Sequence, residues 1–121
     1  MRTNEAIVAV RRGEDVLVVH RSPQNSPGWH LVSGGVETGE TDAEAAVREL
    51  FEETGLEATV KPLGFSFVHN GIHVEAFTAE APDGWEPVLD WEHDDYQWLP
   101  PAEATKILRW PEPREIMGLL G

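Results

Sequence analysis

The stretch from Gly34 to Leu56 constrains the fold most, because it combines a glycine turn, a helix with marked ends and several carboxylates. Thr41 and Glu44 have the spacing of a capping box, in which each side chain accepts a hydrogen bond from the other residue's backbone N–H. Gly55 suits the left-handed conformation that follows the last turn of a helix. The pattern therefore predicts a helix over residues 42–54.

This helix has two distinct faces when its residues are placed at 3.6 per turn. Glu49, Glu52 and Glu53 share one face, because residues three and four apart lie on the same side. Arg48 is four residues after Glu44 and four before Glu52, so it can pair with either. The apolar face, which we expect to pack on a sheet, consists of Ala43, Ala46, Val47, Leu50 and Thr54, with Phe51 at its margin.

The three clustered carboxylates point to a bound cation. Like charges on neighbouring helix positions repel by about 1 kcal/mol per pair at 4 Å in water, and by about 4 kcal/mol near a protein surface. The stretch has no Cys and no neighbouring His, so its hard oxygen ligands favour Mg²⁺, with Mn²⁺ as the alternative. A solvated, Glu-rich helix face is the competing interpretation of the three residues taken alone.

The spacing of all the fixed residues between Gly34 and Leu56 is a more specific signal than the three carboxylates alone. It reads Gly34, five residues, Glu40, seven residues, Arg48-Glu49-Leu50, one residue, Glu52-Glu53, one residue, Gly55-Leu56. This is the Nudix box, and the sequence resembles the MutT/Nudix hydrolase family at every fixed position of that motif. The lead-in WHLVSGGVE and the C-terminal segments EH, YQWL and RWPEPREI are also similar, more weakly, to the subgroup that hydrolyses dATP and dihydroneopterin triphosphate.

The resemblance implies an α+β fold in which a mixed β-sheet lies between helices, as an α/β/α sandwich. It also implies metal-dependent hydrolysis of a nucleoside diphosphate linked to a further group. By position in the motif, Glu49, Glu52 and Glu53 are the expected metal ligands and catalytic carboxylates, and the backbone carbonyl of Gly34 is a further candidate ligand. The positions expected to brace the loop and helix are Gly34, Glu40, Arg48 and Gly55.

Three residues outside the box are candidates for the chemistry. Arg21 matches the place of an Arg that relatives direct at substrate phosphate, where a guanidinium would donate bidentate hydrogen bonds; a solvated Arg is the alternative. Glu92 matches a further acidic residue of several relatives, so Glu92 or Glu49 is the candidate general base, although a plain acidic loop is equally compatible. Trp29, or Trp85, is a candidate to stack on a nucleobase.

Length and charge restrict the class of partner. We expect one domain over residues 1–121. The net charge of −13 argues against a nucleic-acid polymer as partner and leaves a metal and local Arg residues to receive an anionic small-molecule nucleotide or pyrophosphate. The absence of Cys excludes disulfides and thiolate chemistry. The sequence contains no long apolar segment of the kind that predicts a membrane span, so we expect a cytoplasmic protein. We expect it to be a monomer or a homodimer.

The remaining elements follow from apolar runs and turn residues. The runs IVAV and VLVV are apolar throughout, which predicts strands buried on both faces. Asn70-Gly71 predicts a hairpin turn. Predicted strands cover residues 5–10, 16–20, 29–32, 58–61, 64–69 and 72–78, with 88–91 and 96–99 bracketing another, and predicted helices cover residues 101–108 and 113–120.

Together these features predict a metal-dependent hydrolase that converts a (deoxy)nucleoside triphosphate, or a related pyrophosphate, to a monophosphate and pyrophosphate. A nucleotide sugar, a dinucleoside polyphosphate and an oxidised nucleotide are alternative substrates within the family. Outside it, the alternatives are a nucleotide-binding sensor without turnover and a partner-binding module. The complete box disfavours the sensor, because a protein that only binds does not need all three carboxylates.

Overall fold

The computed structural model describes residues 4–24 and 27–120. Its strands are β1 (Asn4–Arg12), β2 (Asp15–Arg21), β3 (Gly28–His30), β4 (Val32–Gly35), β5 (Lys61–His69), β6 (Ile72–Glu80) and β7 (His93–Leu99). Its helices are α1 (Asp42–Thr54), α2 (Pro101–Ile107) and α3 (Pro111–Leu119). Within the described residues, no helix is both long enough and apolar enough to cross a membrane.

The seven described strands form one mixed sheet with β1 near its centre. The order along the sheet is β3-β2-β1-β6-β5, with β4 paired to β1 and β7 paired to β2. Strand β1 is parallel to β6 and antiparallel to β2 and β4. Pairing of β1 with β2 is confined to their hairpin end, at Arg11–Val16 and Arg12–Asp15. Beyond that point the two strands separate, and β4 takes up the hydrogen bonds of residues 5–8.

Helices cover both faces of the sheet, which confirms the predicted α/β/α sandwich. Successive residues of a strand point to opposite faces, and β1 divides accordingly. Ala6, Val8 and Val10 belong to the apolar layer beneath α1. Ile7 and Ala9 belong to the layer beneath α2 and α3. All five are at most 6% exposed, so the prediction that this apolar run is buried on both faces is confirmed.

Helix α1 has the predicted ends. The Glu44 backbone N–H donates to Thr41 Oγ1 at 3.1 Å, and the Thr41 N–H donates to Glu44 Oε1 at 2.9 Å. Gly55 lies in the left-handed region with φ of 81°, a conformation that costs glycine little because it lacks a Cβ. Because the Glu44 carboxylate accepts the Thr41 N–H in this cap, Arg48 pairs with Glu52, the second of its two predicted partners.

The predicted buried face of α1 is partly wrong. Ala43 is exposed, and Val47 and Phe51 are 40% and 50% exposed. The residues turned inward are Ala45, Ala46, Leu50, Glu53 and Thr54. The helix is therefore rotated towards the side that carries Glu53. A hydrophobic wheel places every Glu outside, so it could not anticipate this rotation.

Three predicted strands have different bounds. The strand predicted over residues 29–32 breaks at Leu31, because β3 pairs with β2 whereas β4 pairs with β1, and the chain crosses between them. The strands predicted over residues 58–61 and 64–69 are a single strand, β5, which begins at Lys61 opposite the end of β6, so residues 58–60 lie outside it. Residues 88–91 are irregular, and β7 begins at His93 after a turn that the His93 N–H closes by donating to the Asp90 carbonyl at 3.3 Å.

The C-terminal helices and the hairpin agree closely with the sequence. Helix α3 begins at Pro111, two positions before the predicted start, because a proline in the first turn removes an N–H that has no partner within the helix. Asn70 and Gly71 have φ of 51° and 77°. Two successive positive φ angles are those of a type I′ turn, so the predicted hairpin is confirmed.

Candidate active site

Gly34 forms the meeting point of β4 and α1. A Cβ atom added at Gly34 would lie 2.0 Å from Glu49 Cδ, much closer than any real contact. Main-chain pairing with Ala6 holds Gly34 in the sheet. The Glu49 carboxylate therefore lies directly over the strand backbone, and only glycine leaves it that space.

Arg48 ties this turn to the helix. Its Nε and Nη2 donate to the two Glu40 oxygens at 2.8 and 3.0 Å, and Nη2 also donates to the Gly35 carbonyl at 2.8 Å. Its Nη1 donates to Glu49 Oε1 at 2.8 Å and to Glu52 Oε1 at 3.1 Å. The guanidinium lowers the pKa of Glu40 to about 2, and hydrogen bonds to Glu40 and Glu49 raise the pKa of Arg48. One side chain thus connects the loop, the strand end and the acidic face of α1.

A polar cavity of about 190 Å³ opens beside this network. It lies where β1, β4, the start of β7 and α1 converge. Two of the predicted carboxylates of α1 face into it. Its lining residues are Glu5, Arg21, Ser33, Gly34, Glu49, Glu53, Glu92 and His93.

Glu53 is the most unusual group in the cavity. Its side chain is only 5% exposed. Burial, followed by the hydrogen bond and negative charge of Glu49 and by the charge of Asp90, raises the pKa of Glu53 to about 10. Among the described residues its Oε1 has no hydrogen-bond partner. A buried oxygen without a partner is destabilising unless a cation compensates it, so the donor set fits a divalent metal.

His93 is a site residue that the sequence interpretation missed. Its side chain is 2% exposed, and its Nε2 lies 3.7 Å from Glu53 Oε1. Its Nδ1 lies 2.7 Å from Asp90 Oδ1. The only signal in the sequence was its position directly after Glu92, and it has none of the spacings by which histidine ligands are usually identified.

Glu52 and Glu92 are placed differently from each other. Glu92 lines the cavity, and its backbone carbonyl accepts from the Ser22 N–H at 3.2 Å, which joins the turn before β7 to the end of β2. The Glu52 side chain is 52% exposed and pairs with Arg48 outside the cavity lining. Glu52 would have to leave Arg48 to bind an ion in the cavity, so its role as a ligand stays a prediction.

Arg21 connects this cavity to a second one of about 230 Å³. Its Nη2 donates to Ser33 Oγ at 3.2 Å. Both cavities share Glu5, Arg21 and Ser33, and the second has an aromatic wall in which His69 and Trp110 have ring centroids 5.1 Å apart. The other residues of the second cavity are Ile7, His30, Leu31, Phe67, Asn70, Val74, Glu112 and Pro113.

The two tryptophans proposed for base stacking lie elsewhere. The Trp29 ring packs edge-on against His20 at 5.0 Å, and Trp85 packs against Trp98 at 6.2 Å. Neither lines either cavity. The substrate-binding role of Trp29 therefore stays a prediction without support from the cavity geometry, and Trp110 is the tryptophan that faces the site.

A separate group of possible ligands lies at the start of α1. The ligand atoms of Asp42, His73 and Glu75 are within 4.8 Å of one another. His73 Nε2 is 3.3 Å from Glu75 Oε1, so this imidazole already has a partner. The positive end of the helix dipole at Asp42 also opposes a cation there. This group fits a cation less well than the cavity at Glu53.

Comparisons with known proteins identify the family. The family model described as the NUDIX domain matches residues 1–120. The chain is 32% identical over 127 residues to an octanoyltransferase from Myxococcus xanthus, covering 97% of this chain and 36% of that protein. It is 34% identical over 110 residues to an NAD-capped RNA hydrolase from Pseudomonas aeruginosa, covering 84% of this chain and 39% of that protein.

The curated relatives are thus much longer than the matched part, since the chain spans 36 to 39% of their length. Among solved structures, the E. coli dihydroneopterin triphosphate pyrophosphohydrolase has the same fold, with a TM-score of 0.84 and 22% identity. That match covers 96% of this chain and 92% of the other. The chain belongs to the MutT/Nudix hydrolase family.

Proposed function

We propose that this chain is a metal-dependent hydrolase of a (deoxy)nucleoside triphosphate, or a related nucleoside diphosphate-linked compound, and that it releases a monophosphate and pyrophosphate. One observation carries the proposal. The inward-facing carboxylates of Glu49 and Glu53 share a cavity with Arg21, and that arginine also lines a larger cavity with an aromatic wall. The arrangement matches a substrate with a polyphosphate at one end and a ring at the other.

The acidic cavity supports a resident divalent ion, for which we propose Mg²⁺ with Mn²⁺ as the alternative. Glu49, Glu53 and the Gly34 carbonyl would hold it, and Glu52 would join them after leaving Arg48. When bound, such an ion neutralises phosphate oxygens and lowers the pKa of a bound water. The pKa of Glu53, raised to about 10 by burial and Glu49, means that ionising this carboxyl at neutral pH depends on compensation by positive charge.

We propose that Arg21 binds the phosphate oxygens. Its guanidinium is held by Ser33 at the junction of the two cavities. The net charge of −13 repels an anionic substrate from most of the surface. A local guanidinium therefore has to orient the polyphosphate, through charge-assisted hydrogen bonds that also stabilise charge developing in the transition state.

Glu92 is the proposed general base, and Glu49 is the alternative. In the reaction, water attacks phosphorus, the bond to the bridging anhydride oxygen breaks, and the carboxylate takes the proton of the water. Glu92 comes from the turn before β7 rather than from α1, so it reaches the cavity from another side. Glu49 is already hydrogen-bonded to Arg48.

The second cavity supports a nucleoside as the remaining part of the substrate. Trp110, Phe67 and His69 present ring surfaces, and base stacking on aromatic side chains is worth about 1 to 3 kcal/mol. Because the curated relatives include an NAD-capped RNA hydrolase, other diphosphate-linked nucleosides are the alternative within the same proposal. We also propose that the substrate is a free small molecule and that the protein is cytoplasmic.

The test is hydrolysis of a nucleotide panel. The panel contains the common ribo- and deoxynucleoside triphosphates, dihydroneopterin triphosphate, a nucleotide sugar and a dinucleoside polyphosphate, each with Mg²⁺, and released pyrophosphate and phosphate are measured. Glu53→Gln should lower kcat by at least about 10²-fold. Glu115→Gln, an exposed position on α3, is the matched control and should leave kcat unchanged.

Three outcomes contradict the proposal. No product from any member of the panel, together with tight nucleotide binding in a thermal-shift assay, indicates a sensor. Absence of both product and binding indicates a partner-binding module. Unchanged turnover in Glu53→Gln, with circular dichroism showing a folded protein, removes that carboxyl from the metal site.

A further inference from the structure

Two buried polar atoms face each other across the acidic cavity without a hydrogen bond. They are Nε2 of His93, at the start of β7, and Oε1 of Glu53, in the last turn of α1, and they are 3.7 Å apart. Neither atom has a hydrogen-bond partner among the residues that the structure describes. Their side chains are 2% and 5% exposed. Buried polar atoms are nearly always paired, so two orphans facing each other call for a shared partner.

The other nitrogen of His93 determines what Nε2 can offer. Nδ1 lies 2.7 Å from Asp90 Oδ1, and an ionised carboxylate only accepts hydrogen bonds. An Nδ1–H donated to Asp90 leaves Nε2 of the neutral ring with a lone pair directed at the cavity. Glu53 Oε1 also presents lone pairs. When Glu53 is ionised, two acceptors therefore face each other, and a cation between them would pair with both.

The separation of the two atoms is too long for a direct hydrogen bond. A hydrogen bond between them would bring Nε2 and Oε1 to about 2.7–3.2 Å. Two ligands that each lie about 2.1 Å from one ion are about 3.0 Å apart at a right angle and about 3.4 Å apart at the tetrahedral angle. The observed 3.7 Å exceeds the right-angle value of an octahedral ion by about 0.7 Å, so binding such an ion would draw the two side chains together by that amount.

We propose that His93 Nε2 is a nitrogen ligand of the divalent ion in this cavity, shared with Glu53, and that Asp90 holds the imidazole in the required tautomer. The inference deepens the proposed function and rests on it, because the ion is the same one. A carboxylate that receives the second ring N–H of a metal-bound histidine is the common arrangement in metalloproteins.

A nitrogen ligand changes which metal the site prefers. Imidazole nitrogen suits transition metals such as Zn²⁺, Fe²⁺ and Ni²⁺, whereas carboxylate and carbonyl oxygens suit Mg²⁺ and Mn²⁺. With His93, β7 would add to the oxygen ligands of α1 a nitrogen ligand that the helix motif does not contain, and the site would be less selective for Mg²⁺.

The direct test detects the nitrogen bound to the metal. The tag-free chain is loaded with one equivalent of Mn²⁺, and electron spin-echo envelope modulation is recorded on protein with natural-abundance histidine and with ¹⁵N-labelled histidine. We expect a directly coordinated imidazole nitrogen whose coupling changes on labelling. His93→Asn should abolish this coupling and weaken Mn²⁺ binding by at least about 10-fold, and Asp90→Asn should weaken it by about 10- to 100-fold.

His73→Asn is the matched control, because His73 belongs to the other group that could hold a metal ion. It should keep the coupling. Loss of the coupling in His73→Asn, or its survival in His93→Asn, would overturn the proposal. Absence of any histidine coupling in wild-type protein with bound Mn²⁺ would do so as well. If His93→Asn does not fold, the absence of a histidine coupling in the wild-type protein still overturns the proposal.

The test of the nitrogen ligand can fail independently of the test of hydrolysis. Hydrolysis of the nucleotide panel by wild-type protein without a histidine coupling refutes only the nitrogen ligand. A histidine coupling lost in His93→Asn, in a protein that hydrolyses no member of the panel, supports the ligand and refutes the hydrolase.

Discussion

Gly34→Ala is the most informative single substitution, because it adds one carbon where the strand meets the acidic helix. The new Cβ would lie 2.0 Å from Glu49 Cδ and 2.4 Å from Glu49 Cγ and Oε1. Ordinary contact begins at 3.4 Å, so the Glu49 carboxyl has to move by about 1.4 Å, the difference between 3.4 and 2.0 Å. A displacement of about 1 Å in a catalytic constellation can lower the rate by about 10²-fold.

The same movement has a predictable effect on stability. Glu49 would lose its 2.8 Å hydrogen bond from Arg48, and hydrogen bonds to charged groups contribute about 1.5–3 kcal/mol. Arg48 keeps its contacts with Glu40 and Gly35, so we expect the lower part of that range. Gly34→Ala should fold, with a free energy of unfolding lower by about 1.5 kcal/mol.

The assay compares Gly34→Ala with Gly118→Ala in steady-state hydrolysis, Mn²⁺ affinity and urea unfolding. Gly118 lies on α3, and a Cβ there would meet nothing within 4 Å. That control should keep full activity and gain up to about 1 kcal/mol from better helix propensity. If Gly34→Ala retained wild-type kcat and metal affinity, the placement of Glu49 over the strand would be irrelevant to catalysis, and the reasoning would be refuted.

Three further predictions concern pH, the brace and the core. The folded protein holds the pKa of Glu53 at about 10, above its ordinary 4.5. The contribution of this group to the stability of the metal-free protein should therefore be largest below pH 4.5 and be lost as the pH rises towards 10. Thermal unfolding in EDTA and in Mg²⁺, at pH 6 and pH 9, should show the larger stabilisation by metal at pH 9. Arg48→Lys keeps the charge but not the planar guanidinium that binds both Glu40 oxygens, so kcat should fall. In the wild type the lowered pKa of Glu40 stabilises the fold above pH 4.5, and this stabilisation is lost as the pH falls from 4.5 to 2. Urea unfolding as a function of pH should show a smaller loss over this range in Arg48→Lys. Leu50 is fully buried, and Leu50→Ala should lower the free energy of unfolding by about 2–5 kcal/mol, measured by urea denaturation; a loss below 1 kcal/mol would mean that this part of the core is loosely packed.

Features set by neighbouring residues were predictable from the sequence. The ends of α1 follow from Thr41, Glu44 and Gly55, whose bonds lie within one turn. The hairpin follows from Asn70 and Gly71, whose φ angles these residue types tolerate. The spacing of the carboxylates on α1 also placed Glu49 and Glu53 on one side of the helix, and the structure brings both into one cavity.

Features set by distant parts of the chain were not predictable in the same way. His93 contacts Asp90 and Glu53, and no sequence periodicity connects His93 with Glu53. Trp110 faces the second cavity because α3 packs near the β5–β6 hairpin that carries His69. The break at Leu31 reflects two different strand partners. Each depends on which elements become neighbours in space.

The separation of β1 from β2 beyond Arg11 and Val16 has a consequence for how such a protein can diversify. Where β1 has left β2 it pairs with β4, so Gly34 is anchored to the sheet through main-chain pairing with β1. The surroundings of the second cavity come largely from side chains of other segments, including the β5–β6 turn and α3. Substitutions there can reshape what is recognised while the reaction centre keeps its alignment, so selectivity and chemistry can change independently.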